Sequence, residues 1–181
     1  MNSSFNKKKI ISIALLFLTG CATLSENDCR TGDWYGVGLR DGADGLPLSR
    51  LVEHHDACGE YGIAINGDEY RAGRERGLRQ FCTAENGARF GRQGGVYANV
   101  CPEESEENFL RAYKIGHRIW QLEQEITSLD ARIEEIDKNL EKKDLEEDKR
   151  RALRREREEI FDERDDVRDE LRLLDVIDLI R

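Results

Sequence analysis

The sequence predicts a mainly α protein: a small, glycine-rich, disulfide-stapled helical head followed by a long antiparallel helical hairpin of coiled-coil type. Three observations carry this expectation. No proline follows Pro102 and no glycine follows Gly116, so the C-terminal part lacks both strong helix breakers. There, Ile115, Ile119, Leu122, Ile126, Leu129, Ile133, Ile136 and Leu140 recur at alternating steps of four and three, the spacing of a coiled-coil seam. Residues 29–102, by contrast, hold 14 of the 16 glycines, both prolines and four of the five cysteines. A core of that size is marginal without staples.

The chain begins with an address rather than a fold. Lys7, Lys8 and Lys9 precede the apolar run Ile10–Leu18, too short to span a bilayer and shaped like a secretory signal. It ends in Leu18-Thr19-Gly20-Cys21, which resembles a bacterial lipobox. Cleavage after residue 20 would make Cys21 the lipidated N-terminus, and each buried acyl methylene adds about 0.8 kcal/mol of anchoring. Ala22 in place of Asp points, by resemblance to enterobacterial sorting, to the outer membrane and a periplasm-facing location. Residues 1–20 are read as signal peptide and 21–28 as lipidated tether. The mature chain would carry 26 basic and 38 acidic side chains, a net of −12 against −9 for all 181 residues. That balance disfavours a groove-reading nucleic-acid binder. It also argues against lying flat on an anionic membrane.

Cys29, Cys58, Cys82 and Cys101 remain. Four cysteines in an oxidising compartment read as two disulfides, with three connectivities open and chain proximity favouring 29–58 with 82–101. No C-x-x-C pair is present, so no metal site is expected.

Within residues 29–102, the head, small residues recur at helical spacing: Tyr35-x-x-Gly38-x-x-x-Gly42, Tyr70-x-x-Gly73-x-x-x-Gly77 and, just beyond, Phe109-x-x-Ala112-x-x-x-Gly116. Each set shares one helix face. Glycine inside a helix costs about 1 kcal/mol against alanine, so the repetition implies close helix crossing. The offsets of 35 and 39 residues suggest an internal repeat. Gly42, Gly45, Gly62 and Gly67 read as caps or turns, Asn66 as a helix N-cap, and the stretch from Gly87 to Gly95 as irregular.

Residues 103–181 hold 17 basic and 26 acidic side chains. Lys142 and Lys143 suit a helix C-terminus and Asp144-x-x-Glu147 resembles a capping box. A turn at Glu141–Asp144 follows, bringing the apolar tail Leu173–Ile180 back beside Phe109 and Tyr113. One continuous helix that forms a homodimer is the alternative.

The ordered motifs Asp33-Trp34, Asp41-Gly42, His55-x-x-Cys58, Tyr70-x-x-Gly73-x-x-x-Gly77-Leu78-x-x-x-Cys82, Gly87-x-x-x-Gly91-x-x-Gly94-x-x-Tyr97-x-x-x-Cys101-Pro102 and Phe109-x-x-x-Tyr113-x-x-Gly116 resemble a family of proteobacterial envelope lipoproteins known as domain of unknown function 2799. The resemblance spans about residues 28–120. It implies a compact envelope domain with four cysteines and transfers no catalytic residue.

Candidate sites are few. Asp33, Trp34 and Asp41 are the residue types of a saccharide site, an aromatic face with two carboxylates. Arg71, Arg74, Arg76, Arg79, Arg89 and Arg92 crowd into 22 residues; arginine forks suit phosphate or carboxylate, and ion pairs within the head or to the acidic hairpin use the same groups. His55, three residues before Cys58, is expected beside a disulfide in a structural role. No catalytic motif, metal site or cofactor site is read. The expected function is a non-enzymatic structural or interaction protein of the envelope. It would be membrane-held through its lipid and would bind an envelope protein or peptidoglycan, with no nucleic-acid partner. The alternative is a peptidoglycan- or glycan-binding envelope protein, with or without hydrolysis of its ligand.

Overall fold

The computed structural model describes residues 23–179. The leader 1–20 and Cys21 lie outside the described residues. Seven helices follow in order: α1 (Glu26–Thr31), α2 (Trp34–Ala43), α3 (Arg50–Gly59), α4 (Gly67–Phe81), α5 (Ala84–Arg92), α6 (Glu103–Leu140) and α7 (Glu147–Leu179). The described residues contain no strand.

Local chemistry sets the helix starts. Ser25, Asp33, Asn66 and Thr83 each accept a backbone N–H from the first turn of α1, α2, α4 and α5, satisfying donors that have no intrahelical partner. Gly32, Gly45 and Gly62 take φ near +68° to +69°, where any side chain would be strained.

The head is two copies of one plan, a crossed helix pair. In the first pair, α2 and α4 meet through Gly38 and Gly42 on one side and Gly73 and Gly77 on the other. A Cβ at Gly38 would strike the Tyr70 carbonyl, and one at Gly73 would strike the Tyr35 carbonyl. In the second pair, α5 and α6 meet through Gly87, Gly91, Ala112 and Gly116. A Cβ at Gly87 would lie 2.5 Å from the Phe109 carbonyl oxygen, and one at Gly116 would strike the Ala88 carbonyl. Gly38 corresponds to Gly87, Gly42 to Gly91, Gly73 to Ala112 and Gly77 to Gly116. The internal repeat is therefore a helix pair. The 39-residue offset joins equivalent helices α4 and α6, whereas the 35-residue offset joins two helices that face each other.

One disulfide lies beside each pair: Cys29–Cys58 joins α1 to α3 against the first, and Cys82–Cys101 joins the end of α4 to the segment before α6 at the second. Leu24, Cys29, Trp34, Val37, Cys58 and Tyr70 form the first core. Leu78, Phe81, Cys82 and Phe109 form the second, with Phe90, Tyr97 and Tyr113 packed against it.

Several expectations need correction. The stretch from Gly87 to Gly95 is not irregular throughout: Thr83 caps α5, and its glycines at 87 and 91 are the crossing face. Gly42 is no cap either, because it lies inside α2 against α4. Residues 23–28 are not a free tether, since Leu24 is buried and Ser25 caps α1. The boundary at 102/103 also moves, because the first turns of α6 are half of the second pair.

α6 and α7 are two helices separated by residues 141–146, not one. Ion pairs between them join Arg118 to Glu170, Asp130 to Arg164, Arg132 to Glu156 and Asp137 to Arg157. From Arg118 to Asp137 along α6, the partner numbers on α7 go from 170 to 156 and 157. Ile119, Leu122, Ile133, Ile136 and Val167 are buried. The expected capping box is absent: α7 starts at Glu147, leaving Asp144 in the connection. The Arg150 guanidinium instead donates to the carbonyls of Leu140, at 2.7 Å, and Lys142, at 3.0 Å. It thereby covers acceptors that the end of α6 leaves open. Arg150→Ala is expected to destabilise this turn by about 1–2 kcal/mol. Thermal melts followed by helical circular dichroism measure the loss, and an unchanged melt would deny Arg150 the role.

The tail also differs from expectation. Leu173, Val176 and Ile177 are exposed. Arg92 ties the tail to the head, reaching Asp175 at 2.7 Å and Asp178 at 3.0 Å; Ile180, the end of the predicted apolar tail, lies outside the described residues.

Candidate functional site

The described residues bury few polar side chains, and the clearest cluster lies in the first helix pair. α3 turns His54 inward with Ala57 and Cys58. α2 supplies Asp41 and α4 supplies Tyr70, both buried. His54 Nε2 lies 2.8 Å from Asp41 Oδ2, and the Tyr70 hydroxyl donates to the same oxygen at 2.7 Å. His54 Nδ1 lies 2.7 Å from the Thr23 hydroxyl. With Asp41 ionised, Nε2 carries the proton of that bond, and the other ring nitrogen shares a hydrogen bond with the Thr23 hydroxyl. The chain Thr23–His54–Asp41–Tyr70 thus ties residue 23 to three helices.

Electrostatics support an ionised Asp41. Burial pushes its carboxyl up, but the hydrogen bonds from His54 and Tyr70, helped by the charges of His54 and then Arg50, hold it below its ordinary value. Burial, and then Asp41 itself, pushes the Tyr70 hydroxyl up. Because Asp41 is depressed in the folded state, its contribution is complete above an aspartate's ordinary 3.8 and fades as pH falls below it. Asp41→Asn is expected to flatten that acid limb. Asp41→Ala leaves two buried donors without an acceptor and should cost about 2–4 kcal/mol. Urea unfolding from pH 2 upward measures both, and an acid limb identical to that of the parent would refute the assignment.

Beside the network is an open cleft of about 550 Å³, lined in part by Thr23, Arg40, Asp44, Arg50 and His54. The order hydroxyl, imidazole, carboxylate is the one that activates nucleophiles. Here the imidazole is only 2% exposed. Its visible consequence is to hold Thr23, the first described residue, against the head.

The residues singled out from sequence are dispersed. Asp33 is the cap of α2, Trp34 is in the first core and Asp41 is bonded to His54 and Tyr70; the three do not converge on one surface. The role given to His55 belongs to His54, while His55 is exposed. The arginines are also mostly spent. Arg71 pairs with Asp68, Arg74 donates to the Leu46 carbonyl, Arg89 to Asn86, and Arg92 reaches α7. Arg76 and Arg79 are exposed on α4. Thr23, His54 and Tyr70 were not anticipated together. The available signal was the helical face of Cys58, which His54 at four residues and His55 at three share about equally, so the pattern did not choose between them.

Among the described residues no group of three His, Cys, Asp or Glu side chains is placed to hold a metal ion, and no helix is long and apolar enough to cross a membrane.

These features define an all-helical, twice-stapled head of tandem helix pairs with one polar core and an attached pair of long helices. Residues 33–118, which span the crossing helices of both pairs, match the family described as "Protein of unknown function (DUF2799)", in support of the family read from the motifs. No curated protein and no solved structure matches the chain.

Proposed function

We propose that this protein is an outer-membrane lipoprotein, anchored through Cys21 and facing the periplasm, that acts as a non-enzymatic interaction protein of the envelope. In this reading α6 and α7 form an antiparallel coiled-coil hairpin that serves as a docking rod for another envelope protein. The observation that carries the reading is the division of labour along α7. Its inner face is satisfied within the chain by Val167 and the ion pairs to α6, whereas Leu173, Val176 and Ile177 stand exposed three and four residues apart near the head. An apolar stripe of that spacing suits a partner helix.

Crosslinking the lipidated protein in intact cells, followed by mass spectrometry, tests this. One abundant envelope protein attached through α6–α7 is the expected result. Wall fragments alone, matched by co-sedimentation with purified peptidoglycan, would overturn it in favour of glycan binding.

A further inference from the structure

The buried polar chain Thr23–His54–Asp41–Tyr70 is not a requirement of the helix crossing. The second pair makes the same crossing with Phe90 where the first has Asp41 and Phe109 where the first has Tyr70. Those aromatic rings pack around Phe81, with centroids 5.2 and 5.1 Å from it. An apolar solution therefore exists within the same molecule. Burying a carboxylate, an imidazole and a phenol is costly unless each is bonded. What the first pair gains is a grip on residue 23, which the second pair has no counterpart to hold.

That grip is extended by the next two residues. Leu24 is 7% exposed within the first core, an apolar side chain taken out of water. Ser25 and Asp28 exchange hydrogen bonds in a capping box. The chain is thus fixed from Thr23 onward. If Cys21 carries the lipid, only Ala22 stands between it and the head, two steps of chain spanning at most about 7 Å when extended.

We propose that the bilayer surface is the partner of the cleft face of the first helix pair, and that the Thr23–His54–Asp41–Tyr70 chain seats the head there at a fixed, short distance. The proposal rests on the lipoprotein reading above and adds a position and an orientation to it. The face concerned carries Thr23 with Arg40 and Arg50 beside Asp28 and Asp44, a mixed charge that an anionic lipid surface tolerates. Residues 103–181, with 26 acids against 17 bases, are repelled by the same surface within a Debye length of about 8 Å. The head therefore sits on the membrane and the long helices stand off it.

The test uses the full-length protein, lipidated in cells and reconstituted in vesicles of phosphatidylethanolamine and phosphatidylglycerol. A benzophenone amino acid is placed at Arg40, exposed at the cleft, or at Lys143, exposed between the long helices. Neither residue belongs to the buried chain. Illumination should yield lipid adducts from position 40 in about fivefold excess over position 143. A flexible Gly-Ser insert of about twelve residues between Ala22 and Thr23 adds about 20 Å of reach. It should abolish the excess while the protein stays vesicle-bound. Equal adducts at both positions, or an excess that survives the insert, would overturn the proposal while leaving the lipid anchor intact. Absence of acyl mass on Cys21 together with loss of vesicle binding would overturn both.

Discussion

Gly73→Ala is expected to destabilise the head by about 2–3 kcal/mol, against the direction that helix propensity alone would give. In an open helix the same change gains about 1 kcal/mol. Here the new methyl points at the Tyr35 carbonyl, with the Leu39 amide nitrogen 3.0 Å away. Both are backbone atoms of a neighbouring helix and cannot swing aside as a side chain would, so α2 and α4 must separate along their length. Gly38→Ala should cost a similar amount, because Gly38 meets the Tyr70 carbonyl and the Arg74 amide in the same way. The double variant should cost less than the sum, since helices already parted by one methyl accept the second more easily. Gly59 is the control: nothing lies within 4 Å of a Cβ there. Urea unfolding of the four proteins gives the cycle. Equal stability of Gly73→Ala and Gly59→Ala would refute the close crossing.

Removing the first disulfide, as Cys29→Ser/Cys58→Ser, is expected to cost about 3.5 kcal/mol, and removing the second, as Cys82→Ser/Cys101→Ser, about 3 kcal/mol. The order follows from closed intervals of 29 and 19 residues. Against the 5–15 kcal/mol or so that holds an ordinary domain together, either loss is large. The first has a second consequence, because Cys29 and Cys58 share a core with Leu24 and Trp34. Its loss should expose Trp34 and free the segment from Thr23. Tryptophan emission during unfolding, read in a Trp120→Phe background, distinguishes the two staples. A red-shifted Trp34 is expected for the first double variant and not for the second.

Much of this architecture was legible as periodicity. The seam from Ile115 to Leu140 falls on α6, and the helical faces of Gly38, Gly42, Gly73 and Gly77 are the faces that cross. Periodicity reports which residues share a side of a helix and is silent on which helix that side meets. For that reason the sequence leaves the unit of repetition open: Gly87 and Gly91 read as loop residues, and it is α6 lying on them that makes them a crossing face. The polar core was hidden for a related reason. Asp41, His54 and Tyr70 are separated by 13 and 16 residues, and only the crossing of α2 and α4, with α3 laid beside them, brings three helices to one oxygen. The choice between His54 and His55 turned on a 100° step that a single cysteine partner does not resolve. The arginines were the opposite case. Their abundance suggested a ligand surface, and local carbonyls and carboxylates absorb four of the six.

α6 is at once a head helix and an arm of the long pair. It runs unbroken for 38 residues, about 57 Å, with neither glycine nor proline after Gly116. Its base is locked by the stack of Phe109, Tyr113, His117 and Trp120, and Arg92 ties α7 to the same place. Mechanically the molecule is a lever with no hinge. A sideways pull at residues 141–146 becomes a torque on the second helix pair, multiplied by the length of the arm, and its load falls first on the non-covalent crossing of α5 and α6 and on the Arg92 ion pairs. The Cys82–Cys101 bond, whose Cys101 lies two residues before α6 begins, is the one covalent restraint there.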